Sequence, residues 1–258
     1  MFVTIINDCQ CENAKARQTT RAASLFDCAV NFCGVKSDIE AAGNLVDVLD
    51  ASEGKKGVVL VNVAPRNGKA KKWENGTPFG YFFYQDTLVV STVDGVTLSL
   101  VKQLGIVSEV RLVHIPQVLE SVKEAVNLRS LRIKQIVNTQ FRSFEYLPFV
   151  AKWIFDGKKV PYEEYNLRYL ENLEPCVWHI DNFGNVKTTL WAHDNFHEFS
   201  LKNTVLPFFE SLKDVPDNQL AVVQGSSGIG EKRFLEVVLQ GGSAAKKLGL
   251  EIGEACKV

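Results

Sequence analysis

The chain has 258 residues, enough for one large domain or two modest ones around a real core. Hydrophobic residues make up 46% and charged residues 23%, the balance of an ordinary globular protein. A net charge of −1 argues against nucleic acid or an anionic membrane as partner.

No apolar run approaches the roughly 18 residues of a membrane span. Residues 1–6 pass directly into Asn7 and Asp8, without the pattern of a secretory leader. A cytoplasmic protein is therefore expected. Reduced thiols are expected at Cys9, Cys11, Cys28, Cys33, Cys176 and Cys256, read as small buried hydrophobes.

Residues 2–6 read as a strand that delivers Asp8 to its carboxyl end. Residues 38–49 place Ile39, Ala42, Leu45, Val46 and Leu49 on one helical face, with Ser37 or Asp38 as the cap. The continuous apolar run 57–63 predicts a buried strand, ending in the loop Ala64-Pro65-Arg66-Asn67-Gly68. Residues 81–84 and 87–91 predict a strand pair, and 96–104 a helix. Ligands of open α/β sheets bind outside the carboxyl ends of the strands, where Asp8, the Pro65 loop and the Asp94-Gly95 turn are all expected.

Residues 116–141 read as mostly helical and 149–155 as a further helix. The stretch 157–172, rich in Lys, Tyr and Glu, reads as a linker. Beyond it the signals change to short strands at 176–180, 186–191, 197–201, 220–224 and 234–239. The expected architecture is an α/β N-terminal domain with a central, mostly parallel sheet over 1–158 and a linker over 159–172. A small C-terminal β-barrel or sandwich follows over 173–258.

The segment from Trp178 to Thr189 runs a strand into the polar turn Asp181-Asn182-Phe183-Gly184 and out into a second strand. Such a turn is a plain hairpin connection on one reading. On the other it grips a small zwitterion, with a carboxylate for the ammonium, an amide for hydrogen bonds and a ring for an apolar stem. Phe183 is expected in the core rather than against a ligand.

No metal site is expected. The spacing of Cys9, Cys11, Cys28 and Cys33 matches no zinc pattern. His193 and His197 lie between predicted strands and lack the Glu of a zincin. The run Gly225 to Gly230 lacks the Lys of a phosphate-binding loop.

The C-terminal motifs occur in a fixed order: His179-Ile-Asp-Asn-Phe-Gly-Asn185, Gly225-Ser-Ser-Gly228, Phe234-Leu-Glu-Val, Gly241-Gly-Ser-Ala-Ala245 and Leu248-Gly-Leu-Glu-Ile-Gly253. In this order they resemble the S-adenosylmethionine hydroxide adenosyltransferase family, relatives of the fluorinases and chlorinases. The resemblance covers about the last 85 residues well, and the N-terminal part only in the order of its elements.

It implies attack of water or halide on the ribose C5′ of S-adenosylmethionine, with methionine as leaving group and no metal or dissociable cofactor. Asp8 falls where the family holds the ribose diol, with Asn13 among the contacts. Asp181 falls at the methionine ammonium, and Phe183 and Asn185 frame that pocket. Ser226 and Ser227 match a turn for the carboxylate, and Ser243 and Ala244 the adenine edge. The resemblance also implies a homotrimer with the ligand at the subunit interface.

The water-holding positions of hydrolytic members depart from the pattern. Ala64 stands for the Asp, Phe141 for the His, and Lys71 or Lys72 falls near the Arg, not an equivalent exchange. Asn67 and Lys71 are the catalytic candidates left. Two functions stay open: hydrolysis of S-adenosylmethionine to adenosine and methionine, or a non-catalytic trimer that binds S-adenosylmethionine or adenosine.

Overall fold

A computed structural model describes residues 1–64, 77–192, 199–202 and 204–257. The chain divides into two compact units, Met1–Glu171 and Asn172–Val258.

The first unit opens with β1 (Val3–Asn7), α1 (Glu12–Phe26), β2 (Val30–Gly34), α2 (Asp38–Ser52) and β3 (Gly57–Asn62). It continues with β4 (Phe79–Tyr84), β5 (Thr87–Thr92), α3 (Ser99–Gln103), β6 (Glu109–Val113), α4 (Ile115–Val122) and α5 (Ser130–Val137). It closes with α6 (Arg142–Glu145), α7 (Leu147–Phe155) and β7 (Glu163–Asn166). The strands form one seven-stranded sheet in the order β2-β1-β3-β5-β4-β6-β7. β2, β1, β3 and β5 pair in parallel, whereas the β5-β4, β4-β6 and β6-β7 pairs are antiparallel. Only β4 and β7 therefore run against the common direction, and the expected mostly parallel sheet is present.

The strands β1, β3 and β5 are buried along almost their whole length and mostly apolar, with polar residues chiefly near their ends, because helices cover both faces of a parallel sheet. α2 begins where its cap predicts: Ser37 Oγ accepts from Glu40 N at 3.2 Å.

Several elements of the first unit lie outside the predicted set, for physical reasons. α1 buries Ala14, Gln18, Ala22 and Phe26 at four-residue spacing, a face with almost no hydrophobic contrast. β2 is a five-residue edge strand, and β6 buries only part of its length. The linker expected over 159–172 is corrected: β7 lies inside it and pairs with β6 from Glu109↔Asn166 to Leu112↔Glu163. Its Glu-Glu-Tyr-Asn sequence suits an outer edge, where charge discourages further pairing.

The second unit contains β8 (Val177–Ile180), β9 (Val186–Trp191), β10 (Phe199–Leu201), β11 (Thr204–Leu206), β12 (Phe208–Phe209), β13 (Leu220–Ile229), β14 (Lys232–Leu239), α8 (Ala244–Leu248) and β15 (Cys256–Lys257). A five-stranded sheet runs β12-β13-β14-β9-β8 and a three-stranded one β11-β10-β15. One core joins them: Val177, Val186, Val222, Leu235 and Val237 from the larger sheet meet Phe199, Leu201, Leu206 and Cys256 from the smaller. The unit is a small sandwich. Its chain ends adjoin, because Cys176 bridges Ala255 while β15 pairs with β10.

The cysteines divide by position. Cys176 and Cys256 are buried, Cys11 is exposed, and Cys9, Cys28 and Cys33 are half-buried, so the uniform burial expected for all six is corrected. Among the described residues no cluster of His, Cys, Asp and Glu is placed to hold a metal, and His193 and His197 lie outside them. No described helix is long and apolar enough to cross a membrane.

Burial pushes the Cys176 thiol up to about 11. Burial, the neighbouring Cys176 and Glu254 push Cys256 up to about 12. A thiol that keeps its proton when folded favours the folded state until the unfolded thiol ionises. The stability of the second unit is therefore expected to be full below about pH 8.5 and to fall as pH rises towards 11–12. Denaturant titrations at pH 8 and pH 10.5 check this; equal midpoints at both would count against it.

Candidate functional site

In the first unit, the carboxyl ends of β1, β3 and β5 carry Asp8, Asn62 to Ala64, and Asp94-Gly95 respectively. Asp8 is fixed from two directions. Asn7 is fully buried, and its Nδ2 donates to Gln18 Oε1 at 2.7 Å while its Oδ1 accepts from Cys9 N at 2.7 Å. Gln18 Nε2 in turn donates to Cys9 O and Ala14 O at 3.2 Å, so this buried amide pair has partners on each side. Asp8 itself accepts from Ala64 N through Oδ2 at 3.2 Å, bringing two sequence-selected positions together. Asn13 is exposed in the first turn of α1. The Asp94 turn is held by Asp38, whose Oδ2 accepts from Val96 N at 3.1 Å. Asn67, Lys71 and Lys72 lie outside the described residues.

Phe141 caps α6 and stacks on Phe144, with ring centroids 5.5 Å apart. The Arg17 guanidinium covers both rings at 5.0 and 4.4 Å, and Arg21 lies 4.1 Å from Phe144. Such cation–π contacts fix the ring rather than presenting a hydrogen-bonding group. Next to it, Arg142 Nη1 donates to Thr77 O, and burial pulls its guanidinium below the usual value. Arg17 and Arg142 are cations of this region that the sequence reading did not select.

In the second unit the turn after β8 is a closed hydrogen-bonded loop. Asp181 Oδ1 accepts from Phe183 N and Asn185 N at 2.9 Å, and Oδ2 accepts from Asn185 Nδ2 at 3.0 Å. The backbone closes through Asp181 N to Asn185 O and Gly184 N to Asp181 O. Gly184 has φ +87°, and a Cβ there would overlap the Ser243 side chain and come 3.0 Å from Ser243 Cα. Ala245 N also donates to Gly184 O at 3.0 Å. The turn thus rests directly on the start of α8, where Ser243 Oγ caps the helix by accepting from Lys246 N at 3.2 Å.

The turn and the α8 start wall a cavity of about 760 Å³ lined by Asp181, Phe183, Asn185, Leu212, Gln240 and Ser243, with Leu239, Gly241 and Gly242. Four sequence-selected residues meet there. Ala244, fully buried, follows Ser243 directly.

Two expectations are corrected. Phe183 is 72% exposed and walls the cavity rather than filling the core, because the Asp181 bonds to residues 183 and 185 hold the turn outward. Gly225 to Gly228 is no turn: it lies within β13 at a bulge between Gln224 and Gly228, and the chain reverses only after Ile229. Ser226 is exposed and Ser227 buried there. Leu212 and Gln240 were missed, since nothing in their local sequence marks them.

Residues 175–257 match the family model of the SAM hydroxide adenosyltransferase C-terminal domain. Through this unit, about a third of its length, the chain resembles the S-adenosylmethionine hydroxide adenosyltransferase family. Over 99% of its length it is also similar in fold to two crystal structures, each spanned almost completely. One is an uncharacterized conserved protein from Thermotoga maritima, with TM-score 0.67, 15% identity and 99% of that chain covered. The other is a conserved hypothetical protein from Thermus thermophilus, with TM-score 0.64, 18% identity and 98% covered. No curated protein matches the chain. The adenosyltransferase family match supports a function related to S-adenosylmethionine, and all the residues lining the cavity fall inside the matched domain.

Proposed function

We propose that this protein binds S-adenosylmethionine and cleaves it at ribose C5′ to adenosine and methionine, with water as the nucleophile. The observation that carries the reading is the cavity in the family-matched domain, where Asp181, Asn185 and Ser243 meet the exposed Phe183 ring. A carboxylate beside an apolar wall suits a ligand with an ammonium group and a flat apolar body.

The reaction itself asks little of the protein. Water forms the C5′–O bond as the C5′–S bond breaks, the pair of electrons leaves with neutral methionine, and the water proton passes to solvent. Because the sulfonium is already a good leaving group, positioning and exclusion of bulk water supply most of the acceleration. In this reading Asp8 holds the ribose diol and Asn13 adds a contact. Ser226 and Ser227 meet the amino acid carboxylate, Ser243 and Ala244 the adenine edge, and Asn67 and Lys71 act on the water. No cofactor is required, and the chain assembles as a cytoplasmic homotrimer.

A second reading, binding without cleavage, is favoured by one region. Phe141 is occupied by stacking with Phe144 and Arg17, and Ala64 offers only a methyl group, so neither side chain can orient water. Incubation with S-adenosylmethionine, with and without chloride, followed by chromatography separates the two. Adenosine and methionine as products support the enzyme, and 5′-chloroadenosine marks halide as nucleophile. A thermal shift with adenosine but no turnover leaves the binder.

Phe183→Ala gives a sharper check. An exposed ring removed from a turn is expected to change stability by no more than about 0.5 kcal/mol. Loss of a stacking wall is expected to weaken S-adenosylmethionine about tenfold. An unchanged affinity by calorimetry would remove Phe183 from the site.

A further inference from the structure

Arg17 and Arg21 stand one helical turn apart on one face of α1. The Arg17 guanidinium lies over Phe141 and Phe144, 5.0 and 4.4 Å from the ring centres. That of Arg21 lies over Phe144 and Phe149, at 4.1 and 5.1 Å. Two cations thus share the Phe144 ring, although like charges four residues apart on a helix repel each other. Among the described residues, neither guanidinium has a carboxylate within ion-pair distance.

A third guanidinium belongs to the same group. Arg132 of α5 donates through Nη2 to Glu145 Oε2, at the end of the helix that carries Phe144. Burial pulls the Arg21 guanidinium below its usual value; Glu145 acts against that, whereas Arg132 and Arg17 add to it. Three guanidinium groups therefore face one carboxylate, and all three side chains still reach solvent. A guanidinium stacked on a ring is held by its face, while its N–H groups radiate from the edge. The rings thus restrict Arg17 and Arg21 before any anion arrives, and less freedom is lost when one binds.

We infer that Arg17, Arg21 and Arg132 form a binding site for the phosphate group of a small molecule, either free phosphate or a phosphate ester. A tetrahedral oxyanion suits the forked edges of guanidinium groups, which donate to two oxygens at once. Its two negative charges match the surplus that Glu145 leaves, where a carboxylate would match only half. A nucleic acid backbone asks instead for cations spaced along a groove, and the chain carries a net charge of −1. None of the three arginines lines the cavity of the second unit, and phosphate recognition here does not require that S-adenosylmethionine binds there.

Calorimetry on the full chain tests this with inorganic phosphate and ribose 5-phosphate, titrated separately against sodium chloride of matched ionic strength. Binding of either beyond the chloride control is expected, and the tighter of the two identifies the source of the group. Arg17→Met and Arg21→Met should each weaken it about tenfold or more. Arg168→Met serves as control, because Arg168 is also stacked on a ring, Tyr169 at 4.8 Å, but stands outside the group; it should change affinity less than about twofold. Glu145→Gln removes the one opposing carboxylate and should tighten binding about threefold, a gain that a misfolded variant cannot produce. No binding beyond chloride, or equal affinity in the Arg17 and Arg21 variants, would overturn the site. A single-stranded RNA oligonucleotide that binds more tightly than either phosphate, and is lost in the same variants, would overturn the small-molecule assignment.

Discussion

Gly184→Ala is expected to be the most damaging single-methyl change in the second unit. The backbone at 184 has φ +87°, a conformation that costs a residue with a side chain about 1–3 kcal/mol. The added methyl would also collide with the Ser243 side chain, and Ser243 is held by its cap on α8. Relief requires the turn to separate from the helix start, which breaks the Ala245 N to Gly184 O bond as well. Strain and overpacking together amount to about 3 kcal/mol or more, or roughly 12–24 °C in the melting temperature of a unit this size. Differential scanning calorimetry measures it. A variant melting within about 2 °C of wild type would show that the turn and α8 are not coupled as described.

Asp181→Ala and Asp181→Asn are expected to part company. Alanine removes the acceptor for Phe183 N, Asn185 N and Asn185 Nδ2, and should cost about 2 kcal/mol of stability. Asparagine keeps the Oδ1 bonds that shape the turn, turns only the Nδ2 contact unfavourable, and should cost less than about 1 kcal/mol. Both lose the negative charge, so both should weaken S-adenosylmethionine by about 100-fold. Tight binding by the asparagine variant would reduce Asp181 to the turn residue that its hydrogen bonds already make it.

Where the sequence was informative, the physics was local. The apolar run of β3 and the capped, periodic α2 were legible because burial and capping leave their marks in neighbouring letters. Where it was silent, the information lay elsewhere in the chain. α1 is helical through packing of Ala14, Ala22 and Phe26, and its polar Gln18 is buried only because Asn7, eleven residues earlier, supplies a partner. β7 looked like a linker because an edge strand is kept polar for reasons of solubility rather than folding.

The site divides in the same way. The Asp181 turn was visible in its own residues, but the outward setting of Phe183 depends on which backbone amides Asp181 captures. Gln240 and Leu212 enter the cavity wall only through the sheet and loops that bring them there.

The pairing of Cys176 with Ala255 and of β10 with β15 has a consequence for synthesis. The sandwich is closed by the two ends of its own sequence. Until residue 257 has cleared the ribosome, β10 lacks one of its partners and Cys256 is missing from the core. The first unit, whose last sheet strand ends at Asn166, has no such dependence. The first unit can therefore begin to fold once Asn166 has emerged, whereas the half that carries the cavity waits for residue 257.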